Sequence, residues 1–147
     1  MSNKLLLKNS NIVSLRSKCP LSCALDILGD KWSLLIIRDM LHFKKKTFKD
    51  FFASDENIAS NILSSRLKRL EKFGIISKTK LRNNKKTNIY RLTSTGLELI
   101  PAILELSKWG YKNVKAFNSK KLDFLATNSS KEKIIENMKH AYLNAVK

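Results

Sequence analysis

The residues best suited to chemistry in this chain fall into two neighbouring groups. The first lies in 59–73, ASNILSSRLKRLEKF. At 100° per residue, Leu63, Leu67 and Leu70 share a narrow arc that must face a core, while Asn61, Ser64, Ser65, Lys68 and Lys72 fall on the opposite side. Ser60 stands at the N-terminal end of the same stretch. Hydroxyls and an amide this short can approach base edges closely, and ammonium groups further along can meet phosphate oxygens. The second group follows directly. Lys78 and Lys80 alternate onto one face of a strand-like run, and Arg82, Asn83, Asn84, Lys85 and Lys86 sit where that run turns back. No Asp or Glu occurs anywhere in 75–92. A solvated hairpin ordinarily mixes its signs, whereas this one is built to neutralise phosphates and release their counterions.

A third candidate is a thiol. Cys19 precedes Pro20, a residue suited to the first turn of a helix, and Lys18 and Arg16 lie close by in sequence. A helix dipole and nearby cations favour the thiolate, so Cys19 reads either as a reactive thiol or as an inert packing residue. Cys23, one helical turn later, is expected to pack in the core. Two cysteines four apart with no adjacent His or carboxylate cannot complete a metal shell, so neither metal nor cofactor is expected. His42 and His140 are isolated and read as surface or packing residues. The chain offers no Ser-His-Asp logic, no glycine-rich phosphate loop and no paired carboxylates, so it does not read as an enzyme.

The elements that must position these groups can be read from their punctuation. With only 4 Gly and 2 Pro in 147 residues, most of the chain should be helical. A helix is expected from Pro20 to Leu28, broken by Gly29-Asp30. Asp30 then caps a second helix, WSLLIIRDMLHF, which is apolar on nearly every side and so belongs in the middle of a domain. After a basic loop at 44–46, Thr47 and Asp50 have capping-box spacing and open a short helix carrying Phe48, Phe51 and Phe52. The turn Ser54-Asp55-Glu56-Asn57 separates it from the 59–73 helix, which stops at Gly74. Strands are expected at 75–81 and 87–92, with 82–86 as a basic tip. Thr95 and Glu98 suggest a capping box for a helix from about 96 to 113, and Ser129 and Glu132 another for an amphipathic helix with Ile134, Ile135, Met138, Ala141, Tyr142 and Ala145 on one face. Residues 1–18 are polar, basic and weakly patterned, and read as a flexible arm.

Helix, helix, short helix, turn, longer helix, hairpin, helix is the order a winged helix-turn-helix requires, and it places 59–73 where bases are read. The fold class expected is therefore mainly α with a small β-hairpin wing (α+β). Composition agrees with a polyanionic partner. Lys and Arg number 29 against 12 Asp and Glu, a formal charge of +17 that repels itself in a compact fold unless something neutralises it. DNA, RNA and an anionic membrane surface all qualify. Part of the excess belongs to the Lys-, Asn- and Ile-rich composition that AT-rich genomes encode, so arrangement weighs more than total. No stretch approaches the roughly 18 apolar residues of a membrane span, and the first residues do not form a secretory signal. A cytoplasmic protein without a structural disulfide is expected, and no membrane role.

Several segments together resemble the HxlR-type regulators, a MarR-like branch of the winged-helix proteins. They are CPLSCALDILGDKWSLLIIRDML (19–41), TFKDF (47–51), IASNILSSRLKRLEKFGII (58–76), YRLTSTG (90–96) and LIPAILELSKWG (99–110). One departure is Phe43-Lys44-Lys45-Lys46, where such proteins often have a Gly-Pro turn. The resemblance implies an HxlR-type domain over 19–113, between the arm at 1–18 and a C-terminal linker and dimerisation helix at 114–147. It implies a homodimer, assembled by N- and C-terminal helices, that binds double-stranded DNA. It also implies an oxidant or small-molecule effector acting at Cys19. Independently, Ile100, Ile103, Leu104, Leu106, Trp109 and Tyr111 spread too widely around one helix for a single small core to cover. The expected function is a sequence-specific transcriptional regulator on a pseudo-palindromic operator. The alternative is a sequence-neutral architectural DNA- or RNA-binding protein. Single-strand readers use exposed aromatic platforms, which this pattern lacks.

Overall fold

In the computed structural model, which describes residues 3–6, 12–114 and 128–146, the segment expected as an unpatterned arm contains a hairpin. Strands β1 (Asn3–Leu6) and β2 (Ile12–Leu15) pair antiparallel, with Asn3 opposite Leu15 and Leu6 opposite Ile12. The β-branched pair Ile12-Val13 suits that pairing. Residues 115–127, the expected linker, lie outside the described residues.

Helix α1 (Pro20–Leu28) starts at its proline and ends with the Gly29 N–H donating to Leu25 O at 2.8 Å. None of its residues is buried, and Leu21 and Leu25 are 67% and 50% exposed. Cys23, expected in the core, is therefore only half-buried, its thiol donating to Ser17 O at 3.4 Å. The thiol misses the core because α1 as a whole has little cover within the chain. Helix α2 (Ser33–Phe43) is central as anticipated, burying Ile36, Ile37, Met40 and Leu41. Asp30 opens it, Oδ1 accepting from the Trp32 and Ser33 amides and Oδ2 from Ser33 Oγ. It closes on Lys44 in the left-handed region at φ 55°, the conformation a glycine in the usual Gly-Pro turn would adopt without strain.

Helix α3 (Phe48–Phe52) carries the expected Thr47/Asp50 capping box in both directions. Helix α4 (Ser60–Lys72) turns Leu63, Leu67 and Leu70 into the core at 0%, 1% and 0% exposure, as its periodicity requires. Gly74, at φ 67°, lets the chain reverse into β3 (Ile76–Leu81). Its partner β4 (Asn84–Leu92) pairs antiparallel from Ile76↔Leu92 to Lys80↔Asn88, with a bulge between Lys80 and Leu81. β4 thus begins three residues earlier than expected. Asn84, Lys85 and Lys86 belong to the strand, and the tip shrinks to Arg82-Asn83. Asn84 pairs with Leu81 across the bulge and its side chain accepts from Lys86 N, so the polar residues that suggest a loose tip are part of the strand.

The next helix differs from expectation in its cap. Thr93, not Thr95, starts α5 (Ser94–Leu97), its Oγ1 accepting from Gly96 N at 3.2 Å. The same hydroxyl donates to Gly74 O at 2.5 Å, joining the helix to the start of the wing. A new helix, α6 (Ile100–Asn113), then begins with Pro101 in its first turn. Proline has no N–H, and its ring obstructs the carbonyl four residues back, so one continuous helix through 97–101 is not available. Gly96 sits where the chains touch: a Cβ there would lie 2.2 Å from Ile75 O. Helix α7 (Lys131–Ala145) is capped one residue later than expected, by Ser130, whose hydroxyl accepts from Lys133 N. Ser130 holds the extended backbone that a cap needs. Part of the apolar face of α7 packs inside its own chain, with Ile135 and Met138 half-buried and Ala141 and Ala145 exposed. Ile134 and Tyr142 are buried, and α7 lies against α2 and α6.

Candidate nucleic-acid interface

Helix α4 is fixed on three sides before it meets anything. Its leucines are buried, and two cations bordering them reach back to the end of α1 and the turn that follows it. Arg66 Nε lies 2.9 Å from Asp30 Oδ1. Arg69 donates through Nε to Ile27 O at 3.1 Å and through Nη2 to Asp26 O, occupying carbonyls at the end of α1. Burial pushes the Asp30 carboxyl up, but bonds from Ser33, the Trp32 amide and Arg66 outweigh it and hold the group below its ordinary range.

The turn between α3 and α4 is held by a buried carboxylate. The Asp39 side chain is 3% exposed. Its Oδ1 accepts from Arg38 Nη2 at 2.6 Å, and its Oδ2 accepts from Lys45 Nζ at 2.9 Å and Ser54 Oγ at 2.5 Å. Arg38 also donates to Glu56 Oε1 at 2.7 Å. Burial raises the Asp39 carboxyl, yet Lys45, Ser54 and Arg38 together leave it below its usual value. Lys45, part of the basic loop, is thus a structural cation serving the α3–α4 turn.

The outward residues of α4 keep their expected side. Ser60, Asn61, Ser65, Lys68 and Lys72 are exposed, and Ser64 is half-buried. Ala59 at the N-cap offers no side-chain acceptor, and no acidic residue occupies the first turn. Across an open groove stands the hairpin. The groove is lined by Ser64, Lys68 and Glu71 of α4, by Lys78, Lys86 and Asn88 of the hairpin, and by Thr47, Phe48 and Lys49 at α3. The structure therefore brings Ser64, Lys68, Lys78 and Lys86 around one concavity. Arg82 and Asn83 form the exposed tip beyond it, and Lys80, Asn84 and Lys85 are exposed on the strands.

Two features of the groove were not read from sequence. Lys49 was passed over in a helix noticed for its phenylalanines, and Asn88 inside a strand. The side-chain oxygen of Asn88 is enclosed and has no hydrogen-bond partner. Lys78, expected as a phosphate contact, is already engaged, with Nζ 2.9 Å from Glu71 Oε2. That hydrogen bond and the charge behind it raise the Lys78 ammonium above its ordinary value. Among the described residues no carboxylate pairs with Lys68, Lys72, Lys80, Arg82, Lys85 or Lys86.

Cys19 is exposed at the N-cap of α1, its N–H donating to Ser17 Oγ at 3.1 Å. Of the six apolar positions noted on α6, Ile100, Ile103 and Leu104 are buried within the chain. Leu106, Trp109 and Tyr111 stay 60%, 63% and 60% exposed, and with Leu21 and Leu25 they give α1 and α6 uncovered apolar faces. Among the described residues no helix is long and apolar enough to cross a membrane, and no three His, Cys, Asp or Glu cluster as a metal site.

The family model described as HxlR-like helix-turn-helix matches residues 27–118. The HTH-type transcriptional regulator YybR of Bacillus subtilis is 27% identical over 124 residues, covering 84% of this chain and 98% of that protein. Among solved structures, PA1607, a candidate transcription factor, superposes with a TM-score of 0.64 at 31% identity over 73% of each chain. The redox regulator HypR in its oxidized form superposes with a TM-score of 0.58 at 28% identity, covering 67% of this chain and 100% of its own.

Proposed function

We propose, from the premise that the chain belongs to the HxlR-like helix-turn-helix family, that this transcriptional regulator binds a pseudo-palindromic DNA operator as a homodimer in the cytoplasm. The observation that carries the reading is the shared groove. A polar helix face and an acid-free hairpin stand on either side of it, with unpaired lysines on both. α4 enters a major groove, where Ser60, Asn61, Ser64 and Ser65 meet base edges and Lys68 and Lys72 meet phosphates. Lys78, Lys80, Arg82, Lys85 and Lys86 grip the flanking backbone, with Asn83 and Asn84 donating to phosphate or sugar oxygens.

The exposed apolar residues of α1 and α6 support the dimer, because Leu21 and Leu25 on one helix and Leu106, Trp109 and Tyr111 on the other are best covered by a second copy. Fluorescence anisotropy on genomic duplexes, competed with unrelated duplex and with RNA, tests the reading. Preference for particular duplexes supports it. Equal competition by every nucleic acid overturns it in favour of a sequence-neutral architectural binder.

A second reading concerns control. Cys19 is exposed, and α1 carries on its last carbonyls the Arg69 anchor of α4, so a change at the thiol has a path to the DNA-reading helix. Likeness to HypR, a redox regulator, favours an oxidant or electrophile as the effector. Mass spectrometry after diamide or quinone treatment tests this. Loss of DNA binding with Cys19 unmodified refutes it.

A further inference from the structure

We infer that α7 is a strut for the wing: Tyr142, remote from any DNA contact, sets where the hairpin stands and so how its cations grip phosphate. The inference rests on the DNA-binding reading above. It concerns a helix that begins at Lys131, beyond the 27–118 stretch matched by the family model.

The geometry lies along the outer edge of β4. Its other edge pairs with β3, leaving the amides of Tyr90 and Leu92, two residues apart, pointing away from the ladder. Neither is wasted. Tyr90 N donates to Lys46 O at 2.8 Å, and Leu92 N donates to the Tyr142 hydroxyl at 2.8 Å. A loop carbonyl and a phenol thus stand where a third strand would otherwise pair. Leu92 lies opposite Ile76, at the foot of the hairpin, so these bonds hold the base from which the cationic tip projects.

Tyr142 also controls the loop that supplies the other acceptor. The Lys44 ammonium lies 5.8 Å from the centre of the Tyr142 ring and donates to Leu41 O at the end of α2. Lys44 is the residue held at φ 55°, where the related pattern places a Gly-Pro turn. A non-glycine residue in that conformation needs support from its surroundings. The ring of Tyr142 provides it, so one side chain, 2% exposed, steadies both the 44–46 loop and β4. Ile135 and Met138 pack the rest of α7 onto the core that includes Tyr142.

The test compares full-length wild type with Tyr142→Phe, which keeps the ring beneath Lys44 and removes the acceptor. Amide exchange at Tyr90 and Leu92 is expected to quicken. Affinity should fall for all duplexes alike, and the salt slope should flatten by about one phosphate contact, roughly 0.9 in log K against log salt. The effect should vanish in a Lys85→Ala/Lys86→Ala background, where the wing has little left to place, and persist in an Asn61→Ala background. Met138→Ala, which loosens α7 without touching Tyr142, should move the same readouts less far. Unchanged exchange with unchanged affinity overturns the inference. So does a full loss of affinity in the wing-neutralised background, or conversion of Tyr142→Phe to a monomer, since α7 would then act through the fold or the dimer. Should the wild type show no duplex preference, the DNA reading fails, and amide exchange alone still judges the strut.

Discussion

Neutralising one acidic residue should make this protein bind DNA more tightly. Glu71 holds Lys78 at 2.9 Å inside the groove, with the two side chains 35% and 36% exposed. In the proposed complex Lys78 must choose between that carboxylate and a phosphate, and Glu71 itself repels the backbone. Glu71→Gln keeps side-chain length and helix propensity while removing the charge. One added phosphate contact steepens the dependence of log K on log salt by about 0.9, so the variant should lose about 3.5-fold more affinity than wild type between 50 and 200 mM salt. At the low-salt end it should be the tighter binder. An exposed pair of this kind contributes about 0.2–1 kcal/mol, so thermal stability should hardly move. Anisotropy on one labelled duplex across a salt series gives both quantities, and Glu71→Gln with Lys78→Met serves as control. An unchanged slope, weaker binding, or a steeper slope that survives in the double variant would refute the reasoning.

Other residues give sharper separations of role. Lys85→Ala/Lys86→Ala should weaken binding to all sequences and flatten the slope by about 1.8, whereas Asn61→Ala should mainly blunt sequence preference; equal effects in a competition assay would contradict this division. Asp39→Ala should cost about 3–5 kcal/mol in urea unfolding at pH 7, because it strands Arg38 and Lys45 around an empty centre. The Asp39 carboxyl titrates below its unfolded value of about 3.9, so its contribution is present above that pH and is lost as pH falls through the folded value. Wild type and variant should therefore converge in acid, and a constant gap down to pH 2 would refute the assignment. Trp109→Glu, at a side chain 63% exposed, should leave far-UV circular dichroism unchanged and yield a monomer in sedimentation equilibrium; an unaltered dimer would show that α6 lies outside the interface.

What could be read from the residues was what depends on near neighbours. The leucine spacing of α4, the Thr47/Asp50 box and the carboxylate of Asp30 all act within one or two turns, and each stands where expected. Thr93 was missed for Thr95 because both have plausible spacing. The choice is made by Pro101 downstream and by carbonyls of Gly74 and Ile75 nearly twenty residues away. The roles of Arg66 and Arg69 were not legible, since their partners lie at 26–30, at the end of α1 and in the turn after it. Lys78 is engaged from the preceding helix by Glu71, and the enclosure of Asn88 and the covering of Tyr142 likewise depend on how separate elements meet. An amphipathic face announces that it will be buried, but not by what. The pattern of α7 does not say that Ile134 and Tyr142 are buried within their own chain.

The central claim is that two copies of α4 read one duplex, and binding-site selection from random DNA at about 150 mM salt tests it most directly. The account predicts enriched sequences containing two inverted half-sites, with centres one helical turn of about 10–10.5 base pairs apart or a multiple of it. Those duplexes should bind at least about 10³-fold tighter than unselected DNA. No enrichment, or a single half-site bound at full affinity, would contradict it.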